Sequence, residues 1–233
     1  MATRGEKLAT KPPHTGHRAR LRERFLKGGA DALADYELLE MLLFLAHPRA
    51  DTKPLAKRLI ARFGSFAGVL SAEAARIMDV DGAGETTIAA IKIARAAAER
   101  LARAEARKES VLSSWPALTD YVRVAMAREP REQFRVLFLN RKNILIADEI
   151  QGQGTVDHTP LYPREVVKRA LELGATAVIL VHNHPSGDPT PSKADIEMTR
   201  EVRDAAQKLG IALHDHVIVA KRGIKSFREM GLL

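Results

Sequence analysis

Ala177-Val178-Ile179-Leu180-Val181 runs directly into His182-Asn183-His184-Pro185-Ser186-Gly187, and Ser192 and Asp195 follow. Five consecutive apolar residues of this kind mark a strand buried on both faces, which needs helices on either side of a sheet. In an extended chain, residues two apart point to one face, so His182 and His184 can reach the same ion. Pro185 to Pro191 holds three prolines and one glycine, a loop that brings the chain around. Ser192 then stands at a helix N-cap and Asp195 in the first turn, which returns its carboxylate toward the histidines. Neutral nitrogens and an anionic oxygen in this number suit zinc, with a fourth position for water. A zinc so bound lowers the pKa of that water to about 7. Ser192 and Asp195 also form a capping pair in their own right, and the two roles are compatible.

The neighbouring segments extend the same pattern. Phe134–Leu139 and Ile144–Ile150 read as strands joined through the turn Asn140-Arg141-Lys142-Asn143. A helix starts at Pro163, carries Val166, Val167, Ala170 and Leu171, and ends at Gly174. Asp195–Leu209 is a further helix, Ile211–Ala220 a further strand, and Ala117–Arg128 a helix before the first strand. Strands and helices thus alternate around one sheet.

Upstream the period is helical throughout. Leu21, Phe25 and Leu26 mark a short helix closed by Gly28-Gly29. Asp35 is expected to cap the next, which carries Leu38, Leu39, Leu42 and Leu43 until Pro48. Thr52 and Pro54 open a third helix with Leu55, Leu59, Ile60 and Phe63 inward and Gly64 closing. A fourth is expected over Ser71–Met78, and a long Ala- and Arg-rich helix over Glu85–Lys108. The predicted organisation is a mobile basic tail over 1–15, a helical bundle over 16–108 and an α/β domain over 109–233.

Composition sets limits on both halves. Without cysteine there are no disulfides and no thiolate metal sites, so any metal must use His and carboxylates. That suits a reducing cytoplasm. The first residues lack the apolar core of a secretory signal, and Leu38–Ala46 is far shorter than the roughly 20 residues of a membrane span. A soluble, cytoplasmic protein is expected. Charge is uneven: residues 1–108 hold 20 Lys+Arg against 13 Asp+Glu, and residues 109–233 hold 17 against 16. Arg4, Lys7, Lys11, Arg18, Arg20, Arg22, Arg24 and Lys27 crowd the start, against Glu6 and Glu23. Such an arm can neutralise phosphates of DNA; a solvated tail and exposed helix face is the other reading.

His182-Asn183-His184-Pro185-Ser186-Gly187 with Ser192 and Asp195 resembles the JAMM (MPN+) metalloprotease motif. In the form HNHPSGDPTPSxxD it resembles the RadC branch of bacterial proteins. The likeness continues through Asp215-His216 and Ser226-Phe227-Arg228-Glu229 and covers the helical half as well. It implies a mixed-sheet α/β domain of the cytidine-deaminase-like kind. It also implies one zinc held by His182, His184 and Asp195, and hydrolysis of peptide or isopeptide bonds. In it Ser192 bonds the oxyanion and a glutamate before the first long strand takes the proton from water. Glu132 is the match by resemblance; spacing alone leaves Glu149 and Glu165 open. His214 and His216 form a second HxH, read as sharing a strand face in a supporting role, while His158 and Arg164 are unassigned. Val80-Asp81-Gly82-Ala83-Gly84 resembles a helix-hairpin-helix loop, whose backbone N–H groups bind a phosphate. It departs from that pattern in its carboxylates Asp79, Asp81 and Glu85 and in the small Ala83, so a plain tight turn also fits. A DNA-associated role in repair or recombination, with an ancillary metal domain, is the alternative function.

Overall fold

The computed structural model describes residues 14–108, 110–111, 114–153 and 161–233. Residues 1–13 of the expected tail, and His158, lie outside them. The chain divides into two compact units, one ending at Arg95 and the other beginning at Ala96.

The first unit is helical: α1 (His14–Gly28), α2 (Asp35–Ala46), α3 (Lys53–Phe63), α4 (Phe66–Ser71), α5 (Ala74–Met78) and the start of α6 (Glu85–Lys108). Its core gathers Leu39, Leu43, Leu55, Leu59, Val69, Ile77 and Ile91. Asp35 does not cap α2. Ala34 holds the cap position, its N–H donates to Glu37, and Asp35 Oδ2 accepts the N–H of Phe66 at 2.7 Å. The helix expected over 71–78 begins only at Ala74, because Ala72 and Glu73 are extended, and α4 before it is a further helix that was not expected. Ser65 starts α4 by accepting the N–H of Gly68 at 3.0 Å. Gly68 is required there, since a Cβ would lie 2.2 Å from the carbonyl oxygen of Phe63.

The second unit adds α7 (Trp115–Met126), β1 (Gln133–Leu139), β2 (Leu145–Gln153), α8 (Pro163–Glu172), β3 (Ala177–His184), α9 (Lys193–Gln207), β4 (Ala212–Ala220) and β5 (Gly223–Ser226). The sheet order is β2-β1-β3-β4-β5, with β3 and β4 parallel and the other pairs antiparallel. A helical region followed by a mixed sheet with helices is the expected fold class. Strand alternation sends Ile179 and Val181 to one face, where α7 packs Leu118, Val122 and Met126. Val178 and Leu180 go to the other, against Val166, Val167 and Ala170 of α8 and Val202 and Ala206 of α9. Ala102 and Ala106 of α6 pack with the first of these clusters, so the division between the units falls inside that helix. β5 was not anticipated: four residues with one branched apolar side chain carry too little alternation to read as a strand. Among the described residues, no helix is long and apolar enough to cross a membrane.

Candidate metal centre

β3 extends through both histidines, which share its α8/α9 face with Val178 and Leu180. His182 is fully buried and stacks on Phe134, its partner across β1, with ring centroids 5.4 Å apart. Pro185 then ends the strand, and Gly187 takes φ 90°, which a side chain would resist. That tight turn brings the carbonyl of Asp188 to 2.8 Å from His184 Nδ1. A carbonyl only accepts, so His184 Nδ1 carries the hydrogen and Nε2 keeps its lone pair for the site.

Asp195 enters from the first turn of α9. Its Oδ1 is 3.3 Å from His182 Nε2 and its Oδ2 is 3.6 Å from His184 Nε2. The two Nε2 atoms are 2.9 Å apart, and one ligand atom from each of the three residues lies within 4.8 Å of the others. Two imidazole nitrogens and a carboxylate turned toward one point form a donor set that a divalent cation fits. Bonds of about 2.0–2.1 Å to nitrogen can span the Nε2 pair.

The electrostatics favour positive charge at this point. Burial by itself would raise the pKa of Asp195, but the hydrogen bonds that a protonated imidazole at His182 or His184 donates outweigh it and hold the carboxyl well below its ordinary range. Asp195 in turn raises the pKa of His184. A proton or a metal ion can supply the charge, and the two compete.

Behind His182 lies a third ring. His182 Nδ1 is 2.7 Å from His216 Nε2, and His216 Nδ1 is 2.6 Å from Thr199 Oγ1. Burial depresses the pKa of His216 far below the usual value, so the ring is neutral. His214 and His216 do not act together. Val178 pairs with Leu213 and Ile179 with Asp215, which leaves His214 as the extra residue of a β-bulge. It turns to Asn143 Oδ1 at 2.7 Å, while His216 meets His182.

The remaining candidates separate by position. Glu132 precedes β1, half-buried, close enough to His184 to raise its pKa electrostatically. Glu149 is held by Arg169 at 2.7–3.1 Å, and Glu165 pairs with Arg164 at 3.2 Å. Ser192 caps α9: its hydroxyl donates to Asp195 Oδ2 at 2.7 Å and accepts the N–H of Asp195 at 3.1 Å. Asn183 and Thr199 escaped the sequence reading. Asn183 points to the face opposite the histidines and binds the segment that carries Glu132. Its Oδ1 accepts the N–H of Gln133 at 2.8 Å, and its Nδ2 donates to the carbonyls of Glu129 and Arg131. Alternation between two same-face histidines was the signal for Asn183; a position four after Asp195, on the same helix face, was the signal for Thr199.

In the helical unit the basic residues are partly committed to the fold. Arg18 donates to the carbonyls of His47, Pro48 and Ala50, and Arg24 to Glu37. The Gly82 loop closes with the N–H of Ala83 on Val80, its Asp81 carbonyl takes Arg58 Nε, and Asp79, Asp81 and Glu85 are exposed around it.

Comparison with known proteins agrees with both units. Residues 112–232 match the family described as the RadC-like JAB domain, and residues 14–89 match the UPF0758 N-terminal family. A protein of Rhodobacter capsulatus named UPF0758 protein is 63% identical over 213 residues, covering 91% of this chain and the whole of the relative.

Proposed function

We propose, from the premise that this chain belongs to the RadC-like JAB domain family, that it is a zinc-dependent hydrolase of peptide or isopeptide bonds. The convergence of His182, His184 and Asp195 on one point carries this reading. Zinc at that point would supply a Lewis acid and a water acidified to about pKa 7. Glu132, beside His184, is the base that takes the proton from the attacking water. Ser192 is the donor to the oxyanion. Its hydroxyl now points at Asp195 Oδ2, and its exposed position leaves it room to rotate toward a carbonyl. Asn183 fixes the backbone on either side of Glu132.

Purified protein is expected to hold about one zinc per chain. His182→Ala is expected to lose it, and Glu132→Gln to keep the metal while losing hydrolysis of isopeptide-linked and linear peptide substrates. Protein that takes up no zinc on titration would overturn the reading.

The positive balance of residues 1–108 favours a second reading, a DNA-associated protein in which the metal domain is ancillary. Neutralising Arg4, Lys7, Lys11, Arg20 and Arg22, while sparing Arg18 and Arg24 for the fold, is expected to weaken salt-dependent DNA binding. No binding at low salt would remove it.

A further inference from the structure

Ligand histidines generally pass their second N–H to a carboxylate, a backbone carbonyl or water, which sets the tautomer. His184 does so through the carbonyl of Asp188. His182 instead meets another imidazole, which can donate or accept, so its tautomer is decided further along the chain of hydrogen bonds.

That chain ends at a group with no choice. Thr199 Oγ1 is 2.5 Å from the backbone carbonyl of Asp195, four residues earlier in α9. The carbonyl has only lone pairs, so the single hydroxyl hydrogen goes to it. Thr199 Oγ1 must then accept from His216, and His216 Nδ1 carries a hydrogen. His216 is fully buried, stacked on Phe227 with centroids 4.4 Å apart and packed against Phe134. From His216 the Asp215 carboxylate takes only the backbone N–H, and both ring nitrogens are engaged by His182 and Thr199. Among the described residues no carboxylate pairs with the ring, and an unpaired imidazolium in that setting is costly. The ring is neutral, its Nε2 is bare, and it accepts from His182 Nδ1. His182 is left with its Nε2 lone pair facing His184 and Asp195.

We propose that Thr199 and His216 are positioning residues that preset His182 as an Nε2 ligand, their direction fixed by the backbone carbonyl of Asp195. One residue segment thus serves twice: the side chain of Asp195 completes the donor set while its carbonyl orients the ligand opposite. The inference deepens the metal reading and rests on it for its affinity arm, whereas its tautomer arm applies to metal-free protein.

The tautomer is read directly from side-chain ¹⁵N shifts of histidine-labelled, metal-free protein. His216 is expected with hydrogen on Nδ1 and none on Nε2, and His182 with hydrogen on Nδ1; hydrogen on His216 Nε2 overturns the proposal. Zinc affinity is measured by competition with a chromogenic chelator. Thr199→Val, which keeps shape and removes the hydroxyl, and His216→Leu are each expected to weaken zinc about 10–100-fold. His216→Gln offers an amide oxygen to His182 and an N–H to Thr199, and it is expected to restore most of the affinity. A merely packing role predicts that leucine serves as well as glutamine, and that result refutes the assignment. If His216→Leu does not fold, Thr199→Val carries the affinity arm alone, and affinity within twofold of the parent refutes it. Failure of the parent to bind zinc would overturn the hydrolase reading, while normal zinc binding in both variants would overturn only this one.

Discussion

Two buried polar clusters sit on opposite faces of the same sheet, and they are built to different rules. On the α7 face, the fully buried side chain of Asp148 takes Arg135 at 3.0 and 3.2 Å, Arg103 at 3.3 Å and the hydroxyl of Tyr121. Arg103 Nε donates to Tyr121 in return. Burial, then the charge of Asp148, pushes the Tyr121 pKa up to about 12, so the phenol keeps its hydrogen at any ordinary pH. Donors meet acceptors and the cluster closes on itself. On the α8/α9 face, His182, His184 and Asp195 turn lone pairs toward each other at 2.9–3.6 Å. That cluster is completed only by a positive species. Burial and charge alone do not mark a functional site; an excess of acceptors does.

The comparison breaks most visibly at Asp148. Asp148→Ala strands the mostly buried Arg135, and a loss of about 3–5 kcal/mol is expected in urea denaturation. Zinc affinity of the folded fraction should be unchanged, since the closed cluster takes no part in the open one. Saturation at a hundred times Kd is expected to stabilise the parent by about 2.7 kcal/mol. The gain should appear as a rise in Tm that a chelator reverses and that His182→Ala does not show. Asn183→Ala removes the acceptor of the Gln133 N–H, and about 1–3 kcal/mol should be lost. Zinc binding should persist there while any hydrolysis falls, because Glu132 loses its backbone clamp.

The smallest expected effect calibrates the rest. Arg169 holds Glu149 below the ordinary carboxylate range, by hydrogen bond first and charge second. A lowered folded pKa contributes stability above the unfolded value, about 4.3, which is lost as pH falls through the folded pKa. The pair is 39% and 30% exposed, so Glu149→Gln should cost under about 1 kcal/mol at pH 7. The difference from the parent should vanish in strong acid. A much larger effect would mean that the surface pair behaves like the buried Asp148 cluster.

Much of this was legible in order along the chain. The run Ala177–Val181 specified a doubly covered strand, and period two placed His182 and His184 on one face. Ser192 with Asp195 announced a helix start. Legibility failed where a residue's role depends on a partner distant in sequence. Asp35 has the chemistry of a cap, yet its carboxylate serves Phe66, 31 residues away. His214 and His216 look like a second same-face pair, but His214 is itself the bulged residue, so the two part.

Membership of a family, the helical and sheet-containing halves, and the three candidate ligands were determined by the sequence alone, because periodicity and spacing are local properties. Which nitrogen of His182 faces the ligands, and why Asn183 lies between two histidines, only the tertiary structure decided. Those answers depend on where a hydrogen-bond chain ends, and the ends are carbonyls and amides that no side-chain pattern encodes.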